Sequence, residues 1–362
     1  MRKYSIPQLK SGMVLGENIY SLNTKNIIFK KGVALDDTLI EKLKLYVSVD
    51  VLIDESISSS SKEKAQVPED TRSHSEKLKE TEVFKQFKQD FEETFSDFGR
   101  KLNDLVKSGK EIDVNDLTQP VFNLADEVSN PSAVFDMLHS LRQYNDETYA
   151  HSVNVSLISN ALGRWMNLSE PDLNLLTQAA LIHDIGKLFI PDSIIKKPGK
   201  LTDEEYEIIK GHTVRGYEFV KNMNIDPHIK FAVLQHHERC DGSGYPFGLK
   251  SDKIDIFSKY ISVADVYDAV TSARVYRGPL CPFTAISILE DEGLQKYDTF
   301  AIMTFISNVI NTYLFNRVKL SDGRIGDIVY INTDRYSRPT VRVGNSYVDL
   351  SKEKDLTIEA II

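Results

Sequence analysis

The chain has 362 residues, a net charge of -9 at pH 7 and an isoelectric point near 5.5, with 41% hydrophobic and 27% charged residues. This composition is typical of a globular protein, and the length exceeds the roughly 100–200 residues of one domain, so we expect a main domain with small satellites. The acidic balance argues against a surface that binds long nucleic acid. No apolar run approaches the roughly 20 residues that span a bilayer.

The N-terminus and the cysteines indicate a cytoplasmic protein. Charged and polar residues interrupt Met1–Tyr20 repeatedly, so this segment lacks the apolar stretch of a secretory signal. The only cysteines are Cys240 and Cys281, which suits a reducing compartment. They exclude a disulfide framework and a thiolate metal cage. Any bound metal must therefore be held by nitrogen and oxygen atoms.

Residues 1–54 predict a small N-terminal α+β domain with a regulatory role. Its expected elements are β-rich runs around Met13–Tyr20 and Asn26–Phe29, a helix near Asp36–Leu45 and a strand at Val47–Ile53. Residues 55–77 contain SISSSSKEK and little that is apolar, which is typical of a flexible linker. We place the domain boundary in this segment.

The remainder of the chain predicts a helical core. In residues 78–144 apolar side chains recur at helical spacing, which indicates leading helices. Residues 145–316 are expected to form the core domain, a series of helices with start signals such as the capping box at 202–205. Residues 317–362 alternate apolar and polar positions, which predicts a β-hairpin or meander appendage. The fold class is therefore mainly α: a helical bundle with a small N-terminal α+β domain and a C-terminal β-hairpin appendage.

The most informative feature of the sequence is a set of side chains suited to bind a cluster of metal ions. The set is Glu147, His151, His183, Asp184, His212, His236, His237 and Asp265. It contains five of the protein's eight histidines. Imidazole nitrogens and carboxylate oxygens are ligands for divalent transition metals. A lone histidine is more often a packing or surface residue, so the significance of each one comes from the others.

Spacing along the chain supports shared sites for some of these residues. Glu147 and His151 are four apart on a predicted helix, so both side chains project from one face. Asp265 and Asp268 are three apart on another predicted helix and share a face in the same way. In this second pair one carboxylate can bind a metal ion while the other orients water.

His183 and Asp184 lie in the apolar segment AALIHDIGKLFI, which predicts that both are buried. A buried unpaired charge is costly, so metal binding is the simplest explanation of Asp184. The competing interpretation is structural, with His183 packed in the core and Asp184 in an ion pair with Lys187.

His236 and His237 end a predicted helix before a glycine-rich loop and can reach two neighbouring ions.

Together these motifs resemble those of the HD-GYP subfamily of HD-domain phosphohydrolases. The matching motifs are HDIGK at 183–187, HT at 212–213, HHE at 236–238, DGSGYP at 241–246 and ADVYDA at 264–269. The resemblance covers roughly residues 145–315 and implies an HD-type helical bundle. The N-terminal unit and the C-terminal β segment are similar to parts found in the same family, although the N-terminal match is looser.

The resemblance implies two or three divalent metal ions, and the presence of Glu147 and His151 favours three. It also implies hydrolysis of a phosphodiester by a hydroxide that bridges two metals, because water on a strongly acidic metal ion has a pKa near ~7 rather than about 15.7. Asp184 is the expected bridge between ions. Lys187 and Asp268 are expected near the hydroxide and the leaving oxygen, as hydrogen-bonding or proton-transfer groups.

Two further segments are candidates for substrate binding. Arg274 and Arg277 are cations three apart that can hold the non-reacting phosphate oxygens; the competing interpretation is a pair of solvated surface arginines. Gly244, Tyr245 and Pro246 allow a tight backbone course beside a flat ligand. Tyr245 either stacks on a base or shapes the loop or a partner surface.

The implied substrate is the bacterial second messenger cyclic di-GMP, opened to the linear dinucleotide pGpG, with GMP as the product of a further cleavage. Ligands without sulfur favour iron first and manganese second. Besides the substrate, expected partners are a protein that docks on the GYP loop and a second copy of the chain in a homodimer. Long nucleic acid and a membrane span are not expected.

Two alternatives stay open at this point. In the first, the chain is a slow or inactive receptor for cyclic di-GMP, or an interaction module that uses the GYP loop. In the second, it is an HD-type hydrolase of another nucleotide. A pure receptor has no need of the full catalytic set, so the presence of Glu147, Lys187, Asp268 and Arg274 argues against it. The DGSGYP loop argues against mononucleotide and deoxynucleotide triphosphate substrates.

Overall fold

The computed structural model divides the chain into two units, Met1–Thr71 and Arg72–Ile362. It describes residues 1–20, 27–29, 31–33, 35, 40, 43, 51–54, 74–108, 113–128, 130–141, 148–197, 199–272, 280–344 and 346–362. The division falls inside the segment 55–77 that the sequence predicts as a linker. In the part of the chain that the structure describes, no helix is long and apolar enough to cross a membrane.

The N-terminal unit contains two antiparallel strand pairs. Its strands are β1 (Arg2–Tyr4), β2 (Ile19–Tyr20), β3 (Ile27–Phe29) and β4 (Val51–Ile53). β1 pairs with β4 and β2 pairs with β3. Leu15, Leu43 and Val51 are fully buried in an apolar cluster of this unit. Most of the helix predicted at Asp36–Leu45 lies outside the described residues.

The second unit is mainly helical, which confirms the predicted fold class. Its helices are α1 (His74–Lys79), α2 (Glu82–Ser108), α3 (Val114–Glu127), α4 (Ala133–Leu141), α5 (Thr148–Trp165), α6 (Glu170–Ile182), α7 (Asp192–Ile195), α8 (Asp203–Lys210), α9 (His212–Val220), α10 (Pro227–Gln235), α11 (Ile256–Thr271), α12 (Pro282–Lys296) and α13 (Thr299–Thr312). A 3-10 turn at Ile185–Phe189 follows α6.

α5 and α6 form the centre of this unit and are buried on nearly all sides. Their apolar residues are not confined to one face, and a helix of this kind is stable only when neighbouring elements surround it. They pack against each other, α5 also packs against α11, and α6 also packs against α10. Buried polar groups at their interface bond each other: Ser156 Oγ donates to Thr177 O, and Asn160 Nδ2 donates to Thr177 Oγ1. The interface is therefore close-packed without unpaired polar groups at these positions.

The capping box predicted at 202–205 is present at the start of α8. Thr202 Oγ1 accepts from Glu205 N, and Glu205 Oε2 accepts from Thr202 N at 2.7 Å. Lys197 Nζ donates to both carboxylate oxygens of Glu205, at 2.8 and 2.6 Å. Glu205 thus fixes both the first turn of α8 and the loop that leads into it.

The C-terminal segment is an antiparallel sheet of five strands, of which the first four form a meander, one of the two forms that the alternation of residues predicts. Its strands are β5 (Arg317–Leu320), β6 (Ile325–Tyr330), β7 (Thr340–Val343), β8 (Ser346–Asp349) and β9 (Ile358–Ile361), in the order β8-β7-β6-β5-β9. Val318, Ile328 and Val341 on its inner face belong to the apolar core of the helical unit. The last strand returns beside β5, a long-range pairing that local patterning does not reveal.

A close backbone contact joins the 3-10 turn to α9. A Cβ added to Gly186 would lie 1.9 Å from His212 O and 2.8 Å from Gly216 N, so only glycine fits at this position. Because Gly186 follows Asp184 by two residues, the contact also brings the HD motif against the first residue of α9. The spacing of the candidate ligands therefore depends on this glycine.

We predict that Gly186→Ala lowers the free energy of unfolding by about 1–3 kcal/mol, because the added methyl group forces the turn away from α9. Urea denaturation at fixed metal concentration measures this change. Gly211→Ala is the matched control, since its added Cβ would approach no atom closer than 3.1 Å and its backbone is already helical. A Gly186→Ala protein as stable as the wild type would contradict the close contact.

Candidate metal centre

The structure brings together the seven candidate ligands that it describes. Their ligand atoms form two groups, Asp184 with His212, His236 and His237, and His151 with His183 and Asp265, and in each group all atoms lie within 4.8 Å of one another. Asp184 joins the two groups, since its Oδ2 lies 3.4 Å from His183 Nε2 and 3.5 Å from His151 Nε2. Glu147, one position before α5, lies outside the described residues.

Helix ends supply most of these ligands. His183 directly follows α6, His212 begins α9, and His236 directly follows α10. His151 and Asp265 project from the interiors of α5 and α11. Because α6 packs against α5 and α10, and α10 packs against α11, positions far apart in the chain meet in one region.

Backbone carbonyls fix the orientation of three imidazoles. The Nδ1 atoms of His183, His212 and His236 lie 2.6, 2.7 and 2.9 Å from the carbonyl oxygens of Ala180, Ile209 and Ala232. A carbonyl only accepts hydrogen bonds, so each Nδ1 carries the proton and each Nε2 presents a lone pair. This is the arrangement of metal-binding histidines, whose second nitrogen donates to a carbonyl or carboxylate.

Lone pairs of two imidazole nitrogens and one carboxylate oxygen face one another at short distances, an arrangement that a bound cation would stabilise. His212 Nε2 lies 3.2 Å from His236 Nε2 and 3.2 Å from Asp184 Oδ1, and none of the three atoms has a proton to share. Asp184 Oδ1 and His183 Nε2 are buried without a hydrogen-bond partner. Unpaired buried acceptors are costly, and a divalent ion would satisfy them. The donor set therefore fits the metal cluster that the sequence predicts.

The ionisation of these side chains suits metal binding. Burial lowers the pKa of His183 to about 3, and burial also lowers the pKa values of His212 and His237. Burial raises the pKa of Asp184, but the Lys187 ammonium and the His183 ring outweigh it and hold this pKa well below its usual range. Neutral imidazoles and an ionised carboxylate are the forms that bind metal ions.

His151 differs from the other histidines because carboxylates face both of its nitrogens. Burial opposes its protonation, yet hydrogen bonds to Asp265 and Asp268 raise its pKa to about 10. The distances are 3.2 Å from Nε2 to Asp265 Oδ1 and 2.7 Å from Nδ1 to Asp268 Oδ2. A metal ion at Nε2 would replace the proton shared with Asp265 and leave the Nδ1 bond intact.

Asp268 lies behind His151. Its Oδ2 accepts from His151 Nδ1, and its Oδ1 accepts from Asn154 Nδ2 and Ser272 Oγ, each at 3.1 Å. The side chain is 1% exposed. This geometry is that of a carboxylate that orients a metal-binding imidazole. The expected proton-transfer role of Asp268 at the leaving oxygen stays a prediction.

One side of the centre is closed and the other is open. The side chains of His183, His212 and His236 are at most 1% exposed. His151, His237 and Lys187 are 19%, 18% and 26% exposed, and they line the open side. Solvent can therefore reach the centre at these three side chains.

The GYP loop is attached to the centre on this open side. The Tyr245 ring stacks on the His237 ring with centroids 4.6 Å apart and an interplanar angle of 29°. The peptide bond between Tyr245 and Pro246 is cis. A Cβ on Gly244 would lie 2.5 Å from Glu238 Cα, so the close return of the loop requires glycine. The three GYP residues thus form a wall beside His237.

Sequence reasoning missed the residue that secures this loop. Glu238 is 2% exposed, and its Oε1 and Oε2 accept from Phe247 N and Leu249 N, both at 2.8 Å. The only feature of the sequence that could have indicated this role is the position of Glu238 directly after the two histidines. Asn154 and Ser272, which bond Asp268, were also missed, although they lie one turn from His151 and Asp268 in the chain.

Arg274 and Arg277 lie outside the described residues.

Comparison with known families supports the assignment of the fold. Residues 129–300 match the family model described as HD domain. Over this segment the chain is similar to the HD-domain family. Its motifs resemble those of the HD-GYP subfamily.

Three relatives illustrate what the chain is similar to. It is 33% identical over 244 residues to a cyclic di-GMP phosphodiesterase of Pseudomonas aeruginosa, covering 66% of this chain and 58% of that protein. It is 43% identical over 177 residues to a cyclic di-GMP phosphodiesterase of Thermotoga maritima, covering 48% of each. It is 32% identical over 210 residues to the 3'3'-cGAMP-specific phosphodiesterase 2 of Vibrio cholerae, covering 57% of this chain and 39% of that protein. The chain thus spans about half the length of these relatives.

We predict that Asp268→Asn weakens metal binding about 10–100-fold, because the neutral amide orients and polarises His151 less well than the carboxylate does. Competition with a metal-buffering chelator, read by elemental analysis, measures the change. Asp252→Asn is the control, since that side chain is 73% exposed. Unchanged metal affinity in Asp268→Asn would show that this carboxylate does not position the ligand.

Proposed function

We propose that this protein is a metal-dependent phosphodiesterase that hydrolyses cyclic di-GMP to pGpG, with GMP as the product of a second cleavage. The observation that carries the proposal is the convergence of the ligand atoms into two adjoining groups around Asp184. Two relatives named as cyclic di-GMP phosphodiesterases support the choice of substrate.

The proposed bridging role of Asp184 agrees with its position. Oδ1 faces His212 Nε2 at 3.2 Å and His236 Nε2 at 3.7 Å. Oδ2 faces His183 Nε2 at 3.4 Å and His151 Nε2 at 3.5 Å. Each carboxylate oxygen thus belongs to a different set of imidazoles, as a ligand shared by two ions requires.

The charge of the proposed site suits an anionic substrate. Three divalent ions would bring six positive charges, of which the carboxylates of Glu147, Asp184 and Asp265 would offset three. When bound, the ions would lower the pKa of water from about 15.7 towards ~7 and polarise the phosphoryl oxygens. The remaining positive charge favours the phosphodiester and the extra negative charge of its transition state.

We propose that three cationic side chains of the chain, Lys187, Arg274 and Arg277, bind the phosphate of the substrate. Lys187 Nζ donates to Asp184 Oδ2 and lies on the open side of the centre. From there it can hold a phosphate oxygen and stabilise negative charge on the leaving oxygen. Arg274 and Arg277, which follow α11, are proposed to hold the non-reacting oxygens. Gly244, Tyr245 and Pro246 are proposed to contact the substrate as the adjacent wall.

Iron is our first choice of metal and manganese the second. Nitrogen and carboxylate ligands without sulfur suit these ions better than a structural zinc site, which is typically built with thiolates. Elemental analysis of protein purified without oxygen tests this choice.

We predict that His183→Ala or Asp184→Ala abolishes hydrolysis of cyclic di-GMP and lowers the bound metal, because each removes a ligand from the buried centre. Glu147→Ala should remove mainly one ion. Elemental analysis and product chromatography on the same samples measure both effects. His228→Ala is the control, because it lies at the opposite end of α10 and pairs with Asp255. Full metal content and activity in His183→Ala would falsify the ligand assignment.

We predict that wild-type protein reconstituted with iron or manganese converts cyclic di-GMP to pGpG in many turnovers. Chromatography of the products, with GMP quantified separately, measures this activity. Binding of cyclic di-GMP without linear product at stoichiometric enzyme would favour the receptor hypothesis instead.

A second candidate substrate is 3'3'-cGAMP. The Vibrio cholerae relative named as specific for this dinucleotide is 32% identical, close to the 33% of the Pseudomonas aeruginosa relative. Overall identity therefore does not separate the two substrates. Comparison of kcat/KM for cyclic di-GMP and 3'3'-cGAMP decides between them.

A protein partner at the GYP loop is a further proposal. Phe247 is 63% exposed although Glu238 holds its backbone in place. A rigid loop that presents an aromatic side chain to solvent is suited to contact another protein. A homodimer and a cytoplasmic location stay predictions.

A further inference from the structure

Two side chains of α8 extend the GYP wall away from the metal centre. Tyr206 and Lys210 are four residues apart on α8, so they share one face of the helix. Lys210 Nζ lies 5.4 Å from the centroid of the Tyr206 ring and 5.9 Å from the centroid of the Tyr245 ring. Lys210 thus links an aromatic side chain of α8 to the aromatic side chain of the loop.

This trio lies beside the open side of the centre. Tyr245 stacks on His237, one of the exposed ligands. That stacking occupies one face of the Tyr245 ring, whereas Tyr206 is 49% exposed. Of the two aromatic rings in this trio, Tyr206 therefore offers the larger open surface. It can accept a flat group that enters beside His237.

Contacts hold the start of α8 and the Lys210 ammonium in place before any ligand arrives. The capping box of Thr202 and Glu205 fixes the start of α8, and Lys197 holds Glu205. Glu207 forms an ion pair with the Lys210 ammonium. This positioning lowers the free energy that a ligand would lose in ordering α8 and the Lys210 side chain.

We propose that Tyr206, Lys210 and Tyr245 form a guanine-binding subsite next to the metal centre. The base stacks on Tyr206, as bases stack on aromatic side chains in single-stranded nucleic-acid complexes. Lys210 donates to O6 and N7, the two acceptors of guanine; adenine places an amino donor at the position of O6. The inference rests on the proposed function, since it assigns one base of the cyclic dinucleotide whose phosphate is at the metals.

Steady-state kinetics of Tyr206→Ala test the stacking. KM for cyclic di-GMP should rise roughly tenfold, which is within the range that stacking of one base supplies, with kcat lowered less than KM is raised. Tyr206→Phe should restore the wild-type KM because it keeps the ring. Tyr330→Ala is the matched control, since Tyr330 is 52% exposed on β6 of the C-terminal sheet. Elemental analysis should show equal metal content in all variants.

Inhibition by cyclic di-AMP tests the role of Lys210. In Lys210→Gln, the preference for cyclic di-GMP over cyclic di-AMP, taken as the inhibition constant of cyclic di-AMP divided by KM for cyclic di-GMP, should fall roughly tenfold. An unchanged KM in Tyr206→Ala, or a Tyr206→Phe variant as impaired as Tyr206→Ala, overturns the stacking. An unchanged preference in Lys210→Gln overturns the recognition of guanine.

The outcomes separate this inference from the proposed function. If the wild type hydrolyses cyclic di-GMP and Tyr206→Ala leaves KM unchanged, the subsite is rejected and the proposed phosphodiesterase activity is retained. If the wild type binds cyclic di-GMP without cleaving it, dissociation constants from calorimetry replace KM in the same comparisons, and the subsite is judged without the enzyme activity. A wild type that neither binds nor cleaves cyclic di-GMP rejects both.

Discussion

Hydrogen bonds from three imidazoles to helix carbonyls determine what the centre of this protein can bind. His183, His212 and His236 each donate Nδ1–H to a carbonyl three or four residues earlier in the chain. Each bond leaves an Nε2 lone pair directed at the buried carboxylate of Asp184. Lone pairs 3.2 Å apart repel each other unless a cation lies between them. The packing of α6, α9 and α10 therefore creates a need for positive charge, and metal ions meet that need.

The same packing separates a closed side of the centre from an open one. Asp184 is buried, and the Lys187 ammonium that faces it is the largest contribution that keeps its carboxylate ionised. On the open side, His151 is held by Asp268, which is itself held by Asn154. Ligands on the closed side are fixed by backbone, and a ligand on the open side is fixed by a side-chain network. This difference makes the open side the part of the centre whose metal affinity side-chain substitutions can adjust.

The surroundings of the open side depend on close backbone contacts. Gly186 and Gly244 lie where a Cβ would overlap neighbouring backbone atoms. Glu238 uses both carboxylate oxygens to hold the loop that follows the histidine pair. The loop and α8 thus reach the substrate side in a defined arrangement, with Tyr245 against His237 and Tyr206 beyond it. The proposed metal centre and the proposed base subsite would thereby lie on adjoining parts of the same scaffold.

The sequence by itself determined the mainly helical core, the capping box before α8 and the kinds of ligand available, because periodicity, capping residues and side-chain chemistry are local properties. It did not determine which imidazole nitrogen faces the centre, that Asp268 is directed at His151 across 117 positions, or that a fifth strand completes the C-terminal sheet. It also could not reveal that Tyr206 approaches Tyr245. Only tertiary structure decided these features, because each is a contact between residues distant in the chain, and the packing of whole helices and strands sets such contacts.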